Sequence, residues 1–420
     1  MKPIFRVSLC LLAAVLLPFS VGQYQSMKAH QMLFSEAPQQ QVNLTPAPPL
    51  DPDKPTVVVI LGDDVSEVSD VLGPYQVFAA SGKYNVVTAA PERRPVALTG
   101  GLDLLPHYAL SELDQKLHHP PAVVVVPNIP FIRDQENAPL VSWLKKQGKH
   151  PDTVIMSICS GADTLALTGL LDGKKATGHW SDRSRLEKQF PQVHWTWDAR
   201  YVDAGQQVTS AGVLSGIDAS LHVLKRLAGP ETAHQTAQKM NYAQSTHLTN
   251  PQMQPFDIAL SDSIFLLNAS YLWDRKTYQL PLKKGMDEIE LAALVDTFPA
   301  TFSAELLTTA PVKGPIQSRY GLDLLPRATS EQSELEVLKL TGTGFPFDDT
   351  LSQLALTQNV PTAVFGAKRL EYRAGTQHFE GRGWWTPAVY RPLYLALLGV
   401  VLVLVVEWGM RMLRKRKVSF

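Results

Sequence analysis

Cys159 ends an apolar, β-branched run and precedes small residues, in Thr153-Val-Ile-Met-Ser-Ile-Cys-Ser-Gly-Ala162, after which the pattern becomes helical. A thiol between a strand and a helix sits where a strand-turn-helix elbow presents a nucleophile. The positive end of the helix dipole would lower its pKa from about 8.5 and favour thiolate. The same pattern also accommodates a buried cysteine acting as a small hydrophobe. The chain holds 2 cysteines, and the other, Cys10, lies inside an apolar N-terminal run. If that run is removed after Gly22, Cys159 is the only thiol left, which is notable in an exported protein.

Both termini carry membrane signals. Residues 1–22 have the charged, apolar and small-residue regions of a signal peptide or signal anchor. Leu393 to Val406 is uninterrupted apolar sequence, preceded by Trp384, Trp385 and Tyr390 and followed by Arg411, Arg414, Lys415, Arg416 and Lys417. This predicts a transmembrane helix over 390–413 and a basic cytoplasmic tail over 414–420. Lys2 and Arg6 hold the N-terminus on the same side, so the intervening chain is expected on the periplasmic face of a bacterial inner membrane. An uncleaved first segment would span as well, with the same result. Residues 23–55, rich in Pro and Gln and including Thr45-Pro-Ala-Pro-Pro49, read as an extended linker.

Lys plus Arg equals Asp plus Glu at 39 each, so no global field attracts nucleic acid, and no DNA-reading motif is present. Gly62-Asp-Asp, Gly342-Thr-Gly344 and Gly381-Arg-Gly carry no dinucleotide or phosphate-loop pattern, so no cofactor is expected. His107, His118 and His119 lack metal-ligand company and read as solvated loop residues, so no metal is expected either. Asn43 and Asn268 stand in glycosylation sequons, relevant only in a source that glycosylates.

The chain repeats itself. Thr88-Ala-Ala-Pro-Glu-Arg-Arg-Pro-Val-Ala-Leu-Thr-Gly-Gly-Leu-Asp-Leu-Leu-Pro106 returns without a gap as Thr308-Thr-Ala-Pro-Val-Lys-Gly-Pro-Ile-Gln-Ser-Arg-Tyr-Gly-Leu-Asp-Leu-Leu-Pro326. The same offset carries Asp70-Val-Leu-Gly-Pro-Tyr-Gln-Val-Phe78 onto Glu290-Leu-Ala-Ala-Leu-Val-Asp-Thr-Phe298. Two copies of one α/β unit follow: a full one over 56–236, a connecting helical segment over 237–275, and a degenerate half over 276–382. Pro361-Thr-Ala-Val-Phe-Gly-Ala-Lys-Arg-Leu370 aligns with Pro151 to Ser160, which puts Arg369 near the nucleophile position of the second copy, where no cysteine or elbow survives. The second copy is expected to lack the strands and helices that close the first, and to serve as packing partner or lid.

In the first copy, the Val/Ile runs Thr56-Val-Val-Val-Ile-Leu61, Tyr84 to Ala89 and Ala122-Val-Val-Val-Val126 alternate with helical spacing over 65–81 and 140–147. This is the pattern of an α/β, flavodoxin-like doubly wound parallel sheet buried on both faces. Ligands bind such sheets at the carboxyl ends of the strands, where the regions of Asp70, Pro127 and Cys159 converge.

Cys159-Ser-Gly-Ala, Leu167-Thr-Gly-Leu-Leu-Asp-Gly-Lys-Lys-Ala-Thr-Gly-His-Trp180 and Val208-Thr-Ser-Ala-Gly-Val-Leu-Ser-Gly-Ile-Asp218 resemble the ThiJ/PfpI superfamily. The class I glutamine amidotransferase-like fold is implied. The branch it is most similar to is that of isonitrile hydratases and the N-terminal domains of AraC-type regulators. The resemblance spans roughly Lys54 to Thr236, and more weakly Tyr278 to Val364. It implies that Cys159 is the elbow nucleophile, Asp70 the acidic residue of the first strand-helix unit, and Ser160 the hydroxyl residue that follows the nucleophile.

A protonated carboxyl beside the thiol could act as general acid, whereas an aspartate at that place is also an ordinary helix-start residue. His179 is either the base of a Cys-His pair or a packed pocket wall. Gly161, Asn128, Trp180 and Gly212 are expected to line the pocket, with Asp182 and Thr209 as weaker candidates. Where many family members have Pro-Gly-Gly, this chain has Pro127-Asn-Ile-Pro130, so an oxyanion hole is either rebuilt from the Ser160 amide and Asn128 or poor, the latter favouring a non-catalytic role. The expected function is a membrane-anchored hydratase- or hydrolase-like enzyme for a small molecule, and the contrasting one a non-catalytic sensing module. The two copies are expected to pack within the chain, with homodimerisation left open.

Overall fold

The computed structural model describes residues 3–38, 45–242, 245–330, 334–342, 344–372 and 378–417. The Asn43 sequon and part of the Pro/Gln-rich stretch lie outside the described residues.

The chain opens with a long helix, α1 (Pro3–Leu33). The first half follows as β1 (Thr56–Ile60), β2 (Val65–Ser66), α2 (Val68–Ser81), β3 (Asn85–Ala90), β4 (Val96–Leu98), β5 (Leu102–Leu105), β6 (Tyr108–Ala109) and α3 (Leu110–Lys116). It continues through β7 (Val123–Val126), α4 (Ala138–Gln147), β8 (Val154–Ile158), α5 (Gly161–Leu167), β9 (Lys175–Ala176), α6 (Arg183–Gln189) and β10 (His194–Trp195). It closes with β11 (Tyr201–Asp203), β12 (Gln207–Ser210), α7 (Val213–Ala228) and α8 (Pro230–Lys239). The second half holds α9 (Ser263–Tyr271), β13 (Lys276–Pro281), α10 (Glu288–Thr297), β14 (Ala304–Ala310), β15 (Ile316–Gln317), β16 (Asp323–Leu325), β17 (Ala328–Thr329), α11 (Pro346–Thr357) and α12 (Val360–Arg369). A last long helix, α13 (Pro387–Lys417), ends the chain.

A seven-stranded sheet in the order β11-β12-β8-β7-β1-β3-β6 organises the first half. Its neighbours are parallel except for β11 against β12. Val57 and Val59 of β1 face the core that includes α2 and α7, while Val58 and Ile60 face the one that includes α3 and α4. That two-sided burial is why the strands read as unbroken apolar runs.

The second half repeats the succession strand, helix, strand, short hairpin, strand, with β13, β14 and β17 in one parallel sheet. The halves meet by equivalent surfaces. Ser69 Oγ donates to Asp296 Oδ2 at 2.8 Å, and Ile289 N donates to Gln76 Oε1 at 2.7 Å. Residues 69 and 289, and 76 and 296, are 220 positions apart, so each contact is the other with the halves exchanged.

Four expectations need correction. Residues 361–370 do not correspond to 151–160: α12 is a helix, with the Asn359 side chain accepting from Thr362 N at 2.8 Å and Pro361 in its first turn. Its counterpart is α8, since Ala367-Lys-Arg-Leu-Glu-Tyr372 repeats Ala237-Gln-Lys-Met-Asn-Tyr242 at an offset of 130. Both stretches end in a left-handed residue, Glu371 at φ 54° and Asn241 at φ 52°. In both, the tyrosine N donates to the alanine O, and the tyrosine hydroxyl donates to an aspartate 130 positions apart, Asp348 and Asp218. The closing helices are therefore represented in the second half, as α11 and α12, contrary to the expectation that they are lacking.

The N-terminal helix runs past Gly22 to Leu33, so 23–33 is helical and not linker. Nor is the proline stretch a free tether: Ala47 and Leu50 pack against the first half, and Tyr108 Oη donates to Pro48 O. Finally, His107 is buried, bonded between Thr88 N at 3.1 Å and Gly321 O at 3.1 Å, whereas His118 and His119 are exposed.

α1 and α13 are each long and apolar enough, by length and composition, to cross a membrane. They pack on each other and on α9. A Cβ on Gly399 would lie 2.6 Å from Ala13 O, so glycine permits that close crossing. Arg6 pairs with Glu407 at 3.2 Å near the outer ends of the two helices.

Candidate functional site

β8 delivers Cys159 to the carboxyl edge of the sheet, and the chain turns into α5 in two residues, Cys159 and Ser160. Cys159 adopts φ 56°, a left-handed conformation that costs a non-glycine residue about 1–2 kcal/mol. The turn is possible because Gly161 follows: a Cβ there would lie 2.2 Å from Val126 O of β7. The elbow read from the sequence is thus present, strained at its cysteine.

The thiol lines a cavity of about 180 Å³ with Glu67, Asn128, Ser160, His179 and Arg369. Its outer wall comes from elsewhere in the chain: His30, Leu33 and Phe34 from the end of α1, and Phe265, Ala300 and Phe302 from the second half. Cys159 itself is buried.

Three carboxyl groups bear on this sulfur. Asp70 is fully buried in the first turn of α2, and its Oδ2 accepts from Asn128 N at 3.0 Å. Its Oδ1 has no hydrogen-bond partner among the described residues. Glu67 caps α2, accepting from Asp70 N at 2.8 Å, while Asp182 accepts from the Ser160 hydroxyl. Burial pushes Asp70 up from 3.8 to about 7, the nearby Asp296 charge acting in the same direction and the Asn128 bond opposing. Burial and the charges of Asp296 and Asp70 likewise raise Glu67 well above the usual carboxylate range.

The expectation of a ready thiolate is overturned. Burial raises the Cys159 thiol well above its ordinary value, and the charges of Asp70, Glu67 and Asp182 add to it in that order. Arg369 is the opposing cation, its Nη1 bonded to Asp296 Oδ1 at 2.7 Å and its Nη2 to Glu67 Oε1 at 3.4 Å. Sequence reasoning put Arg369 in the nucleophile position of the second copy, whereas it enters the pocket of the first. Burial disfavours its charge, yet Asp296 and Glu67 outweigh that and hold it protonated.

His179 does not pair with the thiol. Its Nδ1 meets Ser181 Oγ at 2.6 Å and its Nε2 meets Arg369 O at 3.1 Å, so the carbonyl fixes the proton on Nε2 and both nitrogens are engaged. Burial lowers its pKa to about 4, leaving a neutral ring at physiological pH. It is a pocket wall, the second of the two roles read from the sequence.

The remaining candidates divide. Ser160 lies beside the thiol, Oγ to Sγ 3.9 Å. Asn128 meets the acids through its backbone, N donating to Asp70 and O accepting from Glu67, so its amide is not available to an oxyanion. Trp180 braces Lys368, with Nζ 4.6 Å above its ring. Gly212 is packed against Glu371, where a Cβ would lie 2.8 Å from that side chain, and it is not among the residues of the cavity wall. Glu67 and Asp296 were missed. Glu67-Val-Ser-Asp70 has the spacing of a helix cap, a signal that could have found the first.

A model of the DJ-1/PfpI family matches residues 55–226. Those residues are a DJ-1/PfpI domain. Curated relatives include the HTH-type transcriptional regulator CdhR of Pseudomonas aeruginosa, 35% identical over 100 residues, which are 24% of this chain and 29% of the regulator. Another is the isonitrile hydratase of Pseudomonas putida, 28% identical over 183 residues, or 41% of this chain and 73% of that enzyme. The chain thus spans less than a third of the regulator's length. A ThiJ/PfpI family protein from Pseudomonas syringae superposes with a TM-score of 0.40 at 23% identity, over 54% of this chain and 87% of that one. The DJ-1/PfpI domain contributes Cys159, Asp70, Glu67, Asn128, Ser160 and His179, whereas Arg369, Asp296 and Phe302 come from outside it.

Proposed function

We propose that the chain is a membrane-anchored, cysteine-dependent enzyme of hydratase or hydrolase type, with Cys159 as nucleophile and Asp70 as proton carrier. The observation that carries this reading is the pairing of a strained elbow thiol with a buried carboxyl that titrates at about 7 and supplies the leading charge on that thiol. A carboxylate near its pKa at neutral pH is suited to exchange protons in both directions.

The steps balance without a cofactor. Ionised Asp70 takes the thiol proton as sulfur bonds to an electrophilic carbon, and returns it to the atom that receives the displaced electron pair. Water then bonds to the same carbon, the carbon–sulfur bond breaks, and sulfur regains a proton, so the net change is addition of water. In this reading the Ser160 backbone amide is the donor for developing negative charge. Hydration of a carbon–nitrogen multiple bond is the form the isonitrile hydratase relative favours. Incubation with cyclohexyl isonitrile tests it: formamide should appear, and fall at least a hundredfold in Cys159→Ala and Asp70→Asn. An inert wild type, or activity that survives Cys159→Ala, removes the hydratase reading.

A second reading, a ligand-sensing module, is favoured by the raised thiol, the engaged His179 ring and the cover that α1 places over the cavity. It predicts that the same isonitrile binds without turnover.

The architecture is part of the proposal. The 220-residue offset in one region and the 130-residue offset in the next describe a second copy lacking about 90 residues, the segment that in the first copy carries β7, β8 and the elbow. The second copy then serves as an internal subunit that completes the pocket. We place both long helices in the membrane, with the domain on the periplasmic side. Burial of Gly22 within α1, where a Cβ would lie 2.7 Å from Tyr271 Oη, supports retention of that helix over its removal as a signal.

A further inference from the structure

Beside the thiol cavity lies a second one of about 260 Å³, between the end of α1 and the second half. Its walls include Ala29, Met32, Pro299, Ala304 and Leu306. Leu33 and Phe302 line both cavities and form the partition between them. Phe302 is held at φ 53°, a strained conformation for an aromatic residue, and its ring packs at a tilt 4.7 Å from the His30 ring and 4.9 Å from the Phe265 ring.

The charged residues at the edge of this second cavity, Arg275, Arg327 and Glu305, have protein partners, and Glu305 Oε2 accepts from Thr277 Oγ1 at 3.4 Å. Arg275 donates to the carbonyls of Phe302, Asn268 and Ala269, and Arg327 makes two bonds to Asp103 and two to Ser35. What the walls offer a ligand is therefore mainly apolar surface. One wall is the end of the helix that this account places in the bilayer.

We propose that the second cavity is the tail chamber of the Cys159 site, so that the substrate is an amphiphile: a small electrophilic head at the thiol and an alkyl tail beyond Leu33 and Phe302. This rests on the reading of Cys159 as a reactive thiol. It adds that the substrate reaches the site from a lipid phase along α1, with Phe302 as the side chain that yields to the tail.

The test is a pair of thiol reagents that differ only in tail length. The full chain carrying Cys10→Ser is placed in phosphatidylcholine nanodiscs, and Cys159 is alkylated with N-ethylmaleimide and with N-hexylmaleimide at about pH 9 and again at about pH 10, because burial raises this thiol above the free-thiol value of about 8.5. The ratio of hexyl to ethyl rates is compared with that of Leu306→Trp, which fills the chamber, and of Met32→Trp, which fills it from the partly exposed helix side. Partitioning of the reagents into lipid is common to all three proteins and cancels. The expected result is a ratio roughly tenfold or more higher in wild type than in the variants, with the ethyl rate unchanged within about twofold. If the ethyl reagent labels all three but the ratio does not differ, the chamber is refuted while the reactive thiol stands. If neither reagent labels Cys159, the reactive thiol and the chamber fall together.

Discussion

Leu104 of β5 and Leu324 of β16 face each other in an antiparallel pair, both fully buried, and are 220 positions apart. The pairing of Asp103 with Leu325 and of Asp323 with Leu105 repeats that relation on either side. The two leucines therefore mark the axis about which the halves exchange. Truncating either to alanine should cost about 2–5 kcal/mol, as for other buried leucines. Because they touch across the axis, the double variant should depart from additivity by roughly 0.5 kcal/mol or more, read from melting of the single and double variants. Additive losses would mean that the halves are not one cooperative unit.

The elbow strain has its own signature. In Cys159→Ala and Cys159→Gly the sulfur is lost equally, but only glycine adopts φ near +56° without penalty. The glycine variant should be the more stable by about 1 kcal/mol, reversing the usual order of the two residues. Thermal melts of the two proteins compare them directly, and an alanine variant at least as stable would show that the turn is unstrained.

Asp70 should impose a pH dependence on stability. Its pKa is raised from 3.8 to about 7 in the folded chain, so between those values the native state retains a proton that the unfolded chain has released. Wild-type stability from this group is therefore greatest below about pH 4, declines as pH rises, and levels off above about 7, by up to about 4 kcal/mol. Asp70→Asn removes the decline, so the variant should gain on wild type across that window. Parallel melting curves from pH 4 to 8 would contradict the assignment.

The N-terminal helix should be present in the mature protein. Intact-mass measurement of the chain purified from membranes should account for the sequence from Met1 or Lys2. A mass that begins at Gln23 would show that α1 is cut at Gly22 and would remove one of the two proposed spans.

Much of the fold was legible because burial on both sheet faces leaves a plain mark: Val57 to Ile60 and Val123 to Val126 are apolar without alternation. The elbow was legible for a similar reason, since only small residues fit between β7 and α5. The helix at 360–369 was misplaced because setting its residues in register with Pro151 to Ser160 conceals the helix start that Asn359 and Pro361 mark. The state of Cys159 was hidden for a different reason. Local sequence shows the helix N-terminus that would favour thiolate, but Glu67 and Asp70 lie some 90 positions upstream, and only folding buries the thiol and sets their charges against that dipole; Arg369, some 210 positions downstream, opposes them in part. His107 was misjudged likewise, since the Gly321 carbonyl that holds it comes from the other half of the molecule.

The most direct test of the account is the rate of Cys159 alkylation as a function of pH, in the Cys10→Ser background, with and without Asp70→Asn. The account predicts an apparent thiol pKa above the ordinary value of about 8.5, which falls when Asp70 loses its charge. A thiol that titrates at or below that value and ignores the Asp70 substitution would separate the two residues and contradict the site described.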